Sequence, residues 1–296
     1  MSCSRARQID VVCVDVVELQ GRDNYAIEPE KERCMSRASR IVNAILLLLL
    51  GLASVTPALA EEEKPTANAS VAFLSQYIWR GQELSHHSLV IQPSMTVSYL
   101  GASANVWSNL DTDYYVEDSN SLNETDLTLS YSHNLGSVNL TGGYIYYGLD
   151  SVPDAQEVFL TAALNILLQP TLTVYREFSH YHEWYIAGGI GHSFTLPYKM
   201  TLDLRAQAAY LLSESKSAYP EFDSEGNPKD EKFNNFHDGT LTAALNVPAG
   251  KYFTVSPQIS YTFPLSGDAS DEMKARSVNG NDDQFIYGGL VVSFAF

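Results

Sequence analysis

The chain has 296 residues and only three cysteines, Cys3, Cys13 and Cys34, all within its first 34 positions. No thiol follows, which excludes a disulfide framework and cysteine–metal chemistry from the rest of the chain. Positive charge is scarce as well: 18 Lys and Arg stand against 35 Asp and Glu. The first sixty residues take seven of each sign, leaving 11 basic and 28 acidic side chains downstream and the whole net charge of -17 with them. Such a surface excludes nucleic acid as a partner, because phosphate recognition needs Lys and Arg. Also missing is an apolar run near the ~20 residues that a membrane-spanning helix requires. No Gly-rich phosphate loop, H-E-x-x-H or G-x-S-x-G occurs, so the common signatures of nucleotide binding, zinc hydrolysis and serine hydrolysis are absent.

What is present begins with a leader. Arg37 and Arg40 precede the apolar stretch Ile45–Leu50, and Ala58-Leu59-Ala60 precedes Glu61–Glu63. A basic segment, a short apolar segment and an A-x-A site in that order predict a secretory signal peptide over 35–60, cleaved after Ala60. Residues 1–34 are charged and mixed, and they stand ahead of the leader. They read as a start assigned too early, with Met35 the first residue, or as a disordered extension, and they are excluded from the fold. Residues 61–69 form a polar lead-in to a domain over 70–296.

That domain repeats with period two. In 251–264, Phe253, Val255, Pro257, Ile259, Tyr261 and Phe263 alternate with Thr254, Ser256, Gln258, Ser260 and Thr262. In 199–213, Met200, Leu202, Leu204, Ala206, Ala208, Tyr210 and Leu212 alternate with residues that include Asp203, Arg205 and Gln207. Successive strand side chains point to opposite faces, so one face suits hydrocarbon and the other water. Similar runs lie near 70–80, 87–99, 102–110, 124–135, 137–148, 156–168, 170–179, 183–196, 239–248 and 283–296. The pattern predicts an all-β fold, a transmembrane antiparallel β-barrel of about twelve strands. Trp79, Tyr99, Tyr131, Trp184, Tyr210 and Tyr261 fall towards strand ends, where aromatic girdles sit.

The connections alternate in length. Leu100-Gly101, Leu135-Gly136-Ser137, Gln169-Pro170, Pro197-Tyr198 and Pro248-Ala249-Gly250 are tight, whereas Asp111–Asn123, Glu214–Asp238 and Ser266–Asp282 are long and acidic. Short periplasmic turns and longer outer loops place both termini in the periplasm of a Gram-negative bacterium and the barrel in its outer membrane. The last strand sets Gly288, Leu290, Val292, Phe294 and Phe296 on one face. Leu290, Val292, Phe294 and Phe296 are the expected barrel-assembly signal, read by the assembly machinery after delivery by periplasmic chaperones. Lipid and lipopolysaccharide are the remaining expected partners. Lipid-facing and protomer-facing surfaces are both apolar, so the oligomeric state stays open.

The segment Leu74-Ser75-Gln76-Tyr77-Ile78-Trp79-Arg80-Gly81, followed by a polar stretch and the Gln92-Pro93 strand, resembles the start of the TorF family of proteobacterial outer-membrane porins. Ser75, Tyr77, Arg80 and Gly81 match that family's S-x-Y-x-x-R-G-like motif. The resemblance extends over the downstream chain in length and topology, but its specific residues lie in the first strand. It implies a porin-like protein and supplies neither a substrate nor catalytic residues.

Strand parity names the lumen candidates: Gln92, Asn105, Trp107, Asn109, Asn139, Asn165, Glu177, Asp203, Arg205, Gln207 and Gln258. Arg80 is placed where strand one turns outward, with Gly81 supplying a positive φ. There it serves either an anion-attracting constriction with Arg205 or a structural pairing with a loop carboxylate or a lipopolysaccharide phosphate. Asp203 and Arg205 share one side, and either set a transverse field across a pore or bridge each other in a filled barrel. His180 and His182, and His86 and His87, lie in outer loops as solvated rim residues, short of the about four ligands of a structural zinc site. No cofactor is implied. An enzyme would need a nucleophile beside a base, but His192 and Ser193 point to opposite faces, and His133 with Ser130 or Ser132 has no orienting partner.

These residues predict a narrow channel for passive diffusion of small solutes, with acidic loops that concentrate cations at its mouth. The alternatives are a closed barrel that acts through those loops and, less favoured, a lipid-modifying barrel.

Overall fold

A strand with one apolar and one polar face leaves its edges unpaired, and in hydrocarbon every backbone N–H and C=O must find a partner within the protein. Closing the sheet on itself satisfies them all. The computed structural model describes residues 64–114, 119–278 and 280–295. The leader and its Ala60 site, the residues before it, Glu61–Glu63, the loop acids Glu117 and Asp118, and Phe296 lie outside the described residues.

Twelve strands form the barrel: β1 (Thr66–Leu74), β2 (Val90–Tyr99), β3 (Ala102–Tyr114), β4 (Ser119–Leu135), β5 (Val138–Leu149), β6 (Ala155–Leu164), β7 (Thr171–Glu177), β8 (Glu183–Thr195), β9 (Thr201–Ser213), β10 (Asn234–Ala249), β11 (Phe253–Pro264) and β12 (Phe285–Ala295). Each pairs antiparallel with the next, and β12 returns to β1 in a register that runs from Asn68↔Ala295 to Leu74↔Gly289. No helix among the described residues is long and apolar enough to cross a membrane; the strands are the spanning elements. An even strand number puts both described ends on the short-turn side, which is periplasmic in barrels of this class.

The outward side chains are apolar: Met95, Val97, Val106, Leu127, Leu160, Leu172, Ile190, Leu204, Leu241 and Ile259 are all exposed on the barrel's outer surface. The inward partners are polar and bond across strands, as in Ser98–Ser103 at 2.7 Å, Thr161–Thr173 at 2.9 Å and Thr240–Thr262 at 2.9 Å. The β2–β3 turn is Leu100-Gly101, with φ of 52° and 84°. Two consecutive positive φ values match a two-residue turn to the strand twist, and glycine meets the second without strain.

Four features differ from the sequence reading. The first strand starts at Thr66, inside the stretch read as lead-in, and it ends at Leu74 rather than near residue 80. Residues 75–89 then fold into the barrel around a small hairpin, Ile78–Trp79 paired with Gln82–Glu83. Trp79 therefore belongs to the interior and not to a girdle, whereas Tyr99 and Tyr131 are exposed on the outer face. The loop 214–233 carries a second small hairpin, Pro220–Phe222 with Pro228–Lys232. After β11 comes helix α1 (Gly267–Arg276), whose N-cap Ser266 accepts from the Ala269 N–H. Its last turn carries Lys274 and Arg276, the charge sign that complements a helix C-terminus.

These inward segments fill the outer half of the lumen with two apolar clusters. Leu74, Tyr77 and Val90 pack with Trp79, Leu84 and Trp107; Tyr185, Ala187, Ala209 and Leu211 of the wall pack with Tyr219, Phe233 and Ala269 of the long loops. Apolar side chains cluster inward where the loops cover them.

The two faces differ in tolerance. Leu241→Arg, on the outer face at the middle of β10, is expected to cost about 2–4 kcal/mol, whereas Gln207→Lys, in the wet lower lumen, is expected to stay within about 0.5 kcal/mol. Urea unfolding in lipid vesicles compares the two.

Candidate functional site

The site is a constriction built around Arg80. Backbone conformation sets it up: Arg80 and Gly81 have φ of 46° and 79°, turning the tip of the inward hairpin. A Cβ on Gly81 would lie 3.1 Å from Asp238 Cβ, 3.2 Å from His237 Cε1 and 3.3 Å from Met273 Cε, so the tip sits hard against β10 and α1. Glycine meets both demands.

From that tip Arg80 crosses to the wall. Its Nη1 and Nη2 donate to Glu157 Oε1 and Oε2 at 2.7 and 2.8 Å, a two-point bridge that fixes both planes. Glu183 Oε1 stands 3.9 Å away, and the rings of Trp79, Tyr175 and Tyr185 lie 4.5 Å from the guanidinium carbon. Tyr147 donates its hydroxyl to Glu157 at 2.8 Å. The guanidinium suits this place because it accepts ring contacts on its faces while its edge bonds a carboxylate. The sequence reading put Arg80 at the outer mouth; the chain instead delivers it inside, paired with a carboxylate of β6.

A second layer holds the plug. Register shifts between β9 and β10, from Ala208↔Gly239 to Tyr210↔Phe236, so that neighbouring His237 and Asp238 are both buried. A bulge of this kind re-aims side chains without breaking the sheet. Asp238 accepts from the Tyr185 hydroxyl at 2.9 Å and faces His237 Nδ1 at 3.0 Å; His237 Nε2 meets Glu272 Oε2 of α1 at 2.8 Å. Arg276 pairs with Glu272 at 2.6 Å and lies over the Tyr219 ring at 3.9 Å. Burial pushes the Glu272 carboxyl up, but His237 and Arg276 outweigh it and hold the group below its ordinary range. Glu272 is thus a docking residue of α1 and not a solvated loop acid. Glu83 joins the inward hairpin to the end of α1: it accepts from Gln76 at 3.1 Å and from Ser277, and it meets His86 Nδ1 at 2.6 Å.

Arg80 and Trp79 divide the lumen. On the short-turn side lies a cavity of about 460 Å³, lined by Thr173, Arg205, Gln207, Thr240, Thr242 and Tyr287. On the outer side lies one of about 250 Å³, lined by aromatic rings and by Glu124, Asp150, Glu157, Glu177 and Glu183. Trp79 and Tyr147 border both.

Of the residues singled out from parity, Gln92 and Asn109 bond each other inside the barrel at 3.0 Å. Asn105 bonds Ser94 and Thr96, and the Trp107 ring lies 5.6 Å from that of Tyr77, tilted by 53°. Arg205 and Gln207 line the lower cavity. Asn139 bonds Asn134 at 2.7 Å, and Gln258 shares the parity of buried Ser256 and Ser260 on β11. No described ion pair joins Asp203 to Arg205; Asp203 instead accepts from Asn246 at 2.8 Å. One candidate belongs elsewhere. Asn165 lies beyond the end of β6, exposed in the short turn, with its N–H bonded to Ser137. Glu177, although it borders the outer cavity, uses its carboxylate to accept the N–H groups of Ser179, His180, Tyr181 and His182, which closes the β7–β8 turn. Asp111, read as a loop acid, is buried on β3. Glu124, Glu157 and Glu183 went unremarked in the sequence. The same parity that marks Gln92 would have found them, since each is an acid on the wet face of its strand.

No protein-family profile and no curated protein sequence matches this chain. Among solved structures it is similar to the NanC porin, at 11% identity over 77% of this chain and 98% of that one with a TM-score of 0.49. It is also similar to the β domain of the Bordetella autotransporter BrkA, at 10% identity over 78% and 98% of the two chains with a TM-score of 0.32. An anion-selective porin from Comamonas acidovorans follows at 11% identity, 79% and 99% coverage and a TM-score of 0.31. The strand register, and not these likenesses, fixes the barrel.

Two outcomes follow from the geometry. Arg80→Gln leaves Glu157 and Glu183 facing each other without a cation, and is expected to lower unfolding stability by about 3–5 kcal/mol, measurable by urea titration of the micelle-bound barrel. Because the Glu272 carboxyl is depressed in the folded state, its contribution is present above the ordinary carboxylate value of 4.5 and lost as pH falls through the lower folded value. The hydrogen-exchange protection factors of α1, corrected for the intrinsic rate at each pH, should fall below about pH 4.5 in the native protein, and Glu272→Gln should remove most of that acid dependence.

Proposed function

We propose that this chain is an outer-membrane channel through which small ions and solutes diffuse, narrowed by Arg80 to a single constriction. The observation that carries the reading is the pair of lumen cavities that meet at Trp79 and Tyr147, one lined by Arg80 and the other by its partner Glu157. A wall-anchored cation facing carboxylates is a known device for filtering a pore. The excess of acid in the outer cavity favours cations over anions. The motif Ser75, Tyr77, Arg80, Gly81 supports membership of the TorF family, since Arg80 and Gly81 build the constriction and the Ser75 N–H anchors the loop on Gly288 at 2.9 Å. Export with cleavage after Ala60, and recognition of the outward stripe Leu290, Val292 and Phe294 by the assembly machinery, belong to the same proposal.

A second reading, a closed barrel acting through its acidic loops, is favoured by the burial of the bridge: the Arg80 side chain is only 9% exposed. Planar-bilayer recording of protein purified from outer membranes, with a salt gradient across the bilayer, decides between them. The channel reading expects small discrete steps with a cation-favouring reversal potential, and larger steps for Arg80→Ala. Silence from both forms of a folded, heat-modifiable barrel would establish the closed reading.

A further inference from the structure

Most charges around the constriction are matched. Glu157 is taken by Arg80, Glu177 by four backbone N–H groups, and Arg276 by Glu272. Glu183 is less well matched. It is 4% exposed and borders the outer cavity, yet its Oε2 has no hydrogen-bond partner among the described residues, and its other oxygen reaches Arg80 only at 3.9 Å. A buried carboxylate oxygen without a partner is costly and calls for one. Around the same cavity stand Tyr77, Trp79, Tyr147, Tyr181 and Tyr219, and its one basic lining residue, Arg276, is taken up by Glu272. Aromatic faces attract a cation most strongly where water is displaced, and a ring cage with a carboxylate suits ammonium groups. The volume, about 250 Å³, equals the share of about eight waters, room for a small organic molecule. A chelated metal is the poorer fit: no group of three or more His, Cys, Asp or Glu among the described residues converges to hold one.

We infer that the outer cavity is a binding site for a small organic monocation of the ammonium type, held between Glu183 and the rings of Trp79 and Tyr147, immediately outside the Arg80 bridge. It rests on the channel reading for its purpose, since a cation held there stands at the entrance to the constriction. It does not rest on that reading for its existence, and binding is measured separately from current.

The test uses protein purified from outer membranes in detergent, with tryptophan fluorescence reporting through Trp79. The probes are choline and its uncharged isostere 3,3-dimethylbutan-1-ol. Choline is expected to give a saturable change and the isostere none. Glu183→Gln is expected to weaken choline about tenfold, the equivalent of ~1.4 kcal/mol. A second variant, Trp184→Phe, on the wall strand outside the cavity lining, keeps the signal and shows that it does not come from that tryptophan. Heat-modifiable migration on gels confirms that each variant is folded. If Glu183→Gln does not fold, Tyr147→Leu, which removes one ring, takes its place with the same expected weakening. No saturable change with choline, equal binding of the isostere, or full choline affinity in the folded Glu183 and Tyr147 variants would overturn the site. Channel steps recorded alongside an absent choline response would sink the site and leave the channel standing; choline binding to a silent barrel would do the reverse.

Discussion

The interior depends on one charge. Residues 75–89 enter the barrel as a short hairpin with few backbone bonds of its own, and Arg80 ties its tip to β6 by two hydrogen bonds. Take that cation away and two acids of β6 and β8 are left in a dry place. The bridge therefore binds the loop to the wall and also makes the wall tolerable. A buried ion pair stabilises little beyond what an apolar filling of the same shape would, but it discriminates sharply between one placement of the loop and any other. Here the placement is further narrowed by three rings around the guanidinium, which leave it a single orientation.

The bulge in β10 extends this logic across the lumen. By turning two adjacent side chains inward, it gives the wall an imidazole for α1 and a carboxylate for Tyr185 in consecutive positions. A regular strand could offer only one. Tyr185 is shared between the layers: its ring lies beside Arg80 and its hydroxyl bonds Asp238. The hairpin after β1 and the helix after β11 are thereby linked through the wall as well as through Glu83 and Ser277.

Strand positions were legible because the two faces of a membrane barrel obey opposite rules, and one misplaced residue breaks a period-two pattern. Leu204 against Arg205, or Ile259 against Gln258, leaves no ambiguity about which side faces lipid. The inward loop was not legible for the same reason. Tyr77 and Trp79 continue the parity of a strand, so the chain reads as extended past Leu74, and nothing local says that it turns into the barrel. The turn comes from φ at Arg80 and Gly81 and from partners as distant as Glu157, Asp238 and Met273, which no sequence neighbour announces. Glu272 misled similarly. Its neighbours Asp268 and Asp271 suggest a solvated acidic loop, whereas α1 turns this one acid towards His237. The bulge is silent in sequence because its only local sign is a His-Asp pair where alternation should put one residue outside.

The contact between Glu83 and Ser277 joins positions 194 residues apart. One belongs to the loop after the first strand and the other to the loop before the last. In a closed sheet those two strands are also neighbours, so the same chain ends meet twice, once in the wall and once in the lumen. The plug consequently lacks part of its own framework until nearly the whole chain is present. A barrel still open between its first and last strands lacks this tie. Closing the seam in the wall thus also brings together the two loops that meet in the lumen.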